Sequence, residues 1–166
     1  MVEYKNILFC TDFSEDANIA FMHALNLAKK YGAKLHILHV PHSPSTYSRH
    51  IVDEHVPEGK AQEGEAFFDK DIADQAEKDL KQVYGGKLGD FKDYQLVIKC
   101  GAPDVEIIRY AKHNDVDLIV MGALGKSDLD RMVHGSTVAN VSKYAHCHVM
   151  AIRNPAKQFT LPGKMN

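Results

Sequence analysis

The chain has 166 residues, of which 45% are apolar and 25% charged, with a formal net charge of −2 (histidine neutral) and a sequence pI of about 6.5. This is the size of one domain and an ordinary globular composition, long enough to bury a layered core without metals or disulfides. The near-neutral balance argues against the basic face of a nucleic-acid-binding domain, and no apolar run approaches the ~20 residues that span a bilayer. Cys10, Cys100 and Cys147 are odd in number and far apart. They argue against a disulfide framework or a zinc site on paired cysteines, and are expected to be small buried hydrophobes. Met1 to Lys5 carries no apolar signal segment, so the cytoplasm is the expected compartment, with neither nucleic acid nor membrane as a partner.

Ile7-Leu8-Phe9-Cys10 reads as a buried strand ending at Thr11-Asp12. Ser14 can cap a helix, with Glu15 and Asp16 in its first turn and Ala17, Ala20, Phe21, Ala24, Leu25 and Ala28 at helical spacing. Gly32 marks its stop. Lys34 to Val40 is a second strand, closed by Pro41, and Pro41 to Lys60 a long surface loop. Ala61 to Tyr84 is helical, with Phe67, Ile72, Ala76, Leu80 and Val83 as buried positions and Gly85-Gly86 as the stop. Tyr94 to Ile98 is a third strand. Pro103 opens the next helix, with Val105, Ile108 and Ala111 facing inward. Asp117 to Gly122 is a fourth strand, followed by a glycine-marked loop and a helix from about Ser136 to Tyr144. His148 to Ile152 is a fifth strand, and the polar tail from Asn154 is loosely held.

Strands alternating with helices predict an α/β fold, a mostly parallel sheet with helices on both faces. Such sheets bind ligands beyond the carboxyl ends of their strands, where strand order reverses. If the order is 3-2-1-4-5, the rims of that crevice are Thr11-Asp12 and Met121-Gly122.

The most specific signal is Gly122-Ala123-Leu124-Gly125, then nine residues, then Gly135-Ser136. Glycine at a strand end lets a ligand or another chain approach the backbone closely. Gly135-Ser136 stands at a helix amino terminus, where unpaired N–H groups and the helix dipole favour anions, and the Ser136 and Thr137 hydroxyls add donors. The arrangement suits a di- or triphosphate.

With these residues the chain resembles the universal stress protein family, in its ATP-binding subclass. That subclass is marked by Gly, two residues, Gly, nine residues, then Gly and Ser or Thr; Gly122, Gly125, Gly135 and Ser136 match it in full. Asp12 and Ser14, Gly101-Ala102-Pro103, and Asp117 to Gly122 are similar to further family segments, and the likeness runs from Tyr4 to Arg153. It implies a five-stranded 3-2-1-4-5 sheet of the adenine-nucleotide alpha-hydrolase-like kind, one nucleotide-binding domain over 1–153, a flexible tail over 154–166, and a homodimer through the last strand. It also implies Asp12 near the adenosine, the Val40 backbone at the adenine edge, and Gly125, Gly135, Ser136 and Thr137 at the phosphates of ATP, ADP or AMP. Lys126 stands where many members carry arginine, keeping the charge without the planar fork.

Other motifs fail. Gly122 to Ser127 is two residues short of a P-loop, no Gly-x-Gly-x-x-Gly follows the first strand, and no Gly-x-Ser-x-Gly elbow occurs. His36 and His39 lie on opposite faces of a strand, whereas His146 and His148 share one; zinc there would need ligands that the sequence does not name. Asp128, Asp130 and Arg131 are read as a solvated loop face, with a magnesium role for either aspartate as an option. Three functions follow: a nucleotide-binding regulator of the stress response that signals to an unknown downstream protein, a slow ATP hydrolase or phosphotransferase, or an interaction module whose dimer the nucleotide stabilises. Asp12 and Lys126 lack a spacing that identifies a catalytic role, so binding ranks above catalysis.

Overall fold

A computed structural model of the chain describes residues 1–41, 62–123 and 137–156, and of residues 62–69 the backbone alone. Five strands form one parallel sheet: β1 (Asn6–Thr11), β2 (Lys34–His39), β3 (Tyr94–Ile98), β4 (Leu118–Gly122) and β5 (His148–Ile152), in the order 3-2-1-4-5. Among the described residues four helices connect them: α1 (Glu15–Tyr31), α2 (Gln62–Tyr84), α3 (Pro103–His113) and α4 (Thr137–Tyr144). A short 3-10 turn, Gly85–Lys87, follows α2.

Period-two alternation sorts each central strand between two cores. Ile7, Phe9, Leu35, Ile37, Leu118 and Val120 meet α1 and the end of α2 on one face. Leu8, Cys10, Leu38, Ile119 and Met121 meet α3 and α4 on the other. The central strand is registered to both neighbours, with Phe9 opposite Ile37 and Val120. Apolar residues at every position of β1 from Ile7 to Cys10 are therefore what burial on two faces requires.

The ends of α1 follow from local chemistry. The Ser14 hydroxyl accepts the Ala17 N–H at 3.2 Å, and Gly32 closes the helix in the left-handed region at φ 64°. Its six expected apolar positions are all buried. Pro103 occupies the first turn of α3 as expected, but that helix is rotated from the predicted phase. Ile107, Tyr110 and Ala111 are buried, Ile108 is half-buried, and Val105 is 42% exposed. The second core takes the long Tyr110 side chain because its hydroxyl finds polar partners there. In α2, Ala76, Leu80 and Tyr84 are buried and Ile72 and Val83 half-buried; Phe67 lies outside the described side chains. The cysteines also divide: Cys10 is buried, Cys147 half-buried and Cys100 exposed, so Cys100 is not the core residue expected. Cys100 stands two residues past β3, where burial by the sheet has ended. No helix among the described residues is long and apolar enough to cross a membrane.

One polar group is built into the second core. His36 is 3% exposed. Its Nδ1 lies 2.8 Å from the Tyr110 hydroxyl and 3.0 Å from Gln95 Nε2, while Nε2 lies 3.4 Å from Asn6 Oδ1. Gln95 Nε2 can only donate and Asn6 Oδ1 can only accept, so the ring carries its proton on Nε2 and is neutral. Burial, with Lys34 adding to it against Asp93, lowers its pKa to about 4 from the ordinary 6.5. The unfolded chain therefore takes up a proton near pH 6.5 that the folded chain refuses until about pH 4. Stability is full above that window and falls on acidification through it, by up to about 3 kcal/mol. Urea unfolding of the parent and of His36→Gln at pH 7.5 and 4.5 checks this. The parent is expected to lose more stability than the variant, and equal losses would contradict the assignment.

Candidate functional site

The strand order reverses between β1 and β4: β1 leads through α1 to β2 on one side, and β3 leads through α3 to β4 on the other. Cys10 is opposite Met121, so Thr11-Asp12 and Gly122-Ala123 leave the sheet side by side. Val40 follows β2 at the same end and is buried with Cys10 and Met121 in the second core. Thr137 is the first residue of α4. The structure thus brings Thr11, Asp12, Val40, Met121 and Gly122 to one end of the sheet. Gly125, Lys126, Gly135 and Ser136 lie outside the described residues, as do Asp128, Asp130 and residues 42–61, which include all but the first residue of the expected Pro41 to Lys60 loop.

The end of β1 is held by a chain of hydrogen bonds. The Phe13 N–H donates to Thr11 Oγ1 at 3.0 Å. Thr11 Oγ1 is 2.5 Å from the Tyr84 hydroxyl, which donates to Asn18 Oδ1 at 3.1 Å. Because Tyr84 has one proton and gives it to Asn18, the Thr11 hydroxyl donates to Tyr84. His39 Nδ1 lies 2.7 Å from the Thr11 carbonyl oxygen and can only donate to it. Asp12 Oδ1 accepts the Ser14 N–H at 3.0 Å, which shapes the turn into α1. Burial pushes the Tyr84 phenol up to about 12, with Asp12 adding to it against the Thr11 hydrogen bond. Tyr84 is therefore a protonated donor at any physiological pH.

Between Asp12 and Ser14 the backbone of Phe13 takes φ 61°, a region that a bulky side chain enters at a cost of about 1–3 kcal/mol. Its ring is gripped on two sides, with centroids 4.6 Å from His39 and 6.2 Å from Tyr84, the latter stacked at 18°. Composition and spacing did not reveal this turn. The burial of Tyr84 was legible in principle, since it continues the Ala76-Leu80 stripe by four residues. Its partners Thr11 and Asn18 come from other elements and leave no sequence signal.

Gly122 serves a nearer need than a ligand. A Cβ there would lie 2.8 Å from the Ala17 nitrogen and 2.9 Å from the Asp16 backbone carbon. The glycine lets the first turn of α1 press against the end of β4, the close approach of chain to chain expected as one of its two uses. Asp16, placed by the sequence in that turn, is fully buried in the contact.

His36 and His39 face opposite sides as expected. His146 and His148 are exposed at the other end of the sheet, and among the described residues no three His, Cys, Asp or Glu side chains gather as metal ligands. An open cleft of about 730 Å3 beside Tyr4, Lys30, Tyr31 and Lys34 also lies at that amino end and includes none of the nominated residues.

The fold and this crevice define a parallel α/β domain of the kind that takes ligands at a strand-order reversal. The profile of the Universal stress protein family matches residues 3–153, and the chain belongs to that family. It is 30% identical over 158 residues to universal stress protein MJ0531 of Methanocaldococcus jannaschii, covering 93% of this chain and 85% of that one. Among solved structures it is similar to hypothetical protein MJ0577, at 26% identity and a TM-score of 0.71, covering 94% of this chain and 100% of the other. Universal stress protein UspA of Lactobacillus plantarum is 31% identical with a TM-score of 0.60, over 92% of this chain and 100% of its own.

The Gly122 contact yields a stability prediction. Gly122→Ala is expected to force the first turn of α1 outward and cost about 1–3 kcal/mol, the usual penalty of overpacking. Chemical denaturation checks it, and an unchanged midpoint would show that the turn moves freely.

Proposed function

We propose that the chain binds an adenine nucleotide, ATP or ADP, at the carboxyl ends of β1, β2 and β4, and acts as a regulator whose output is a protein contact. The observation that carries this reading is the sequence pattern Gly122, Gly125, Gly135 and Ser136, which begins on the last residue of β4 and ends one residue before the first of α4. Backbone approach at glycine and the unpaired N–H groups of a helix start are the two devices that hold phosphate without a dedicated cation. On this reading Asp12 accepts hydrogen bonds from the ribose, the Val40 backbone meets the adenine edge, and Thr11 and Met121 shape the floor. Gly125, Lys126, Gly135, Ser136 and Thr137 hold the phosphates. A universal stress protein of the same fold, 21% identical, has been solved in complex with cAMP, so the fold can hold an adenine nucleotide. The working unit is 1–153, with 154–166 as a tail, and its place is the cytoplasm.

ATP is expected to raise the melting temperature with occupancy. Gly135→Val should abolish the shift. Asp12→Asn should weaken binding about tenfold, matching about 1–2 kcal/mol for a hydrogen bond to a charged group. Titration calorimetry and phosphate release on the parent and both variants check these. Millimolar ATP that leaves the melting curve unchanged refutes the reading. Turnover above about one per second, lost in Asp12→Asn, replaces the regulator with a hydrolase.

The same family reading includes a homodimer through β5. Among the described residues this strand pairs with β4 on one side only, and Val149, Met150 and Ile152 are half-buried in the single chain. An edge of that kind pairs with another chain unless it is guarded. Ala151 is exposed on it. Sedimentation is expected to give a dimer for the parent and a monomer for Ala151→Asp, which sets two carboxylates near a twofold axis. A parent that sediments as a monomer at high micromolar concentration refutes the dimer.

A further inference from the structure

We propose that Tyr84 is a positioning residue for the nucleotide: through Thr11 its hydroxyl holds the Asp12-Phe13-Ser14 turn in the shape in which Asp12 meets the ribose, and so joins the end of α2 to the site. The proposal rests on the nucleotide reading above.

Tyr84 grips the turn twice. Its ring stacks on Phe13, whose backbone stands at φ 61°. Its hydroxyl takes the Thr11 proton at 2.5 Å and passes its own to Asn18 on α1. Thr11 in turn accepts the Phe13 N–H, so the hydrogen bond that fixes the turn and the one that fixes α2 share a single oxygen. Bonds linked through shared atoms polarise one another and loosen together. A turn with φ in the left-handed region has a relaxed alternative at negative φ, and the network selects against it. Asp12 is carried by the same backbone, and its Oδ1 is fixed on the Ser14 N–H. If the turn relaxes, the fraction of chains with Asp12 in place falls and apparent affinity falls by that fraction. Linkage makes the effect reciprocal: a nucleotide that needs the turn also favours the docked end of α2. Tyr84 is followed directly by Gly85-Gly86, and Lys87 Nζ lies 5.3 Å from the centroid of the Tyr84 ring, so the end of this helix is organised around that side chain.

The test uses the full chain with Tyr84→Phe, Thr11→Val and the double variant, titrated with ATP and with 2′,3′-dideoxy-ATP, which lacks the ribose hydroxyls. Tyr84→Phe keeps the ring and is expected to weaken ATP about five- to tenfold. The dideoxy analogue should change by less than about twofold, because its ribose offers Asp12 nothing to hold. The double variant is expected to bind ATP about as well as the weaker single variant, since both remove one unit. Tyr110→Phe, which deletes a buried hydroxyl on the opposite face of the sheet, is the control and should leave ATP affinity unchanged. Amide exchange at Phe13 is a second readout that needs no ligand, and it is expected to be at least about tenfold faster in Tyr84→Phe. Equal losses for ATP and the dideoxy analogue would assign Tyr84 to general packing and overturn the proposal. So would parent-like ATP affinity in Tyr84→Phe, or unchanged exchange at Phe13. A parent that binds no ATP overturns the nucleotide reading and this proposal with it, whatever the exchange rates show.

Discussion

β1 is covered on both faces and paired on both edges, so its backbone polar groups are satisfied by the ladders and its side chains from Ile7 to Cys10 are apolar. That condition ends at Thr11, where the sheet stops but burial continues. A carbonyl, a hydroxyl and the next N–H must there find partners outside the backbone ladder, because a buried polar group without one costs about 1–3 kcal/mol. The His39 side chain donates to the carbonyl, Tyr84 of α2 takes the hydroxyl proton and passes its own to Asn18 of α1, and the Phe13 N–H turns back onto Thr11 Oγ1. The site therefore begins where the ladder runs out, and the groups that complete the core are those that shape its rim.

The same accounting explains what the sequence made legible. Apolar runs bounded by polar and turn residues locate β3 and β5 to the residue and the other strands to within one. The phase of α3 was not legible. Val105-Ile108 and Ile107-Ala111 are both acceptable apolar stripes on spacing alone, and the choice falls to Tyr110, whose hydroxyl donates to His36 Nδ1 and accepts from Gln95 Nε2, side chains of two strands. Cys100 misled for a related reason. A small apolar residue suits burial, but only position relative to the end of β3 decides whether the core reaches it.

For the site, sequence reasoning reached the segments and missed the connections. Thr11-Asp12 and Met121-Gly122 were found as neighbours because strand-order reversal is a property of topology. That Gly122 is filled by the first turn of α1, and that Asp16 is buried there, depends on how two elements approach in space. A glycine pattern in a phosphate-binding motif thus contains positions with different duties. Gly122 makes room for the fold, and Gly135 is assigned by our reading to the ligand.

The turn after β1 shows why a small domain can afford a strained residue beside a binding site. Left free, Phe13 would leave φ 61° and gain about 1–3 kcal/mol. The hydrogen bond from its own N–H to Thr11 and the two ring contacts are made in this conformation, and together they offset that cost. On the proposed reading the strain and the network stand or fall as one unit. A ligand that meets such a turn finds the geometry already ordered, and the entropy that ordering would cost at binding has been spent in folding. On the proposed reading, affinity for a nucleotide then depends less on how many contacts Asp12 makes than on how rarely the turn is lost. Residues that never touch the ligand, Tyr84 foremost, would govern that frequency.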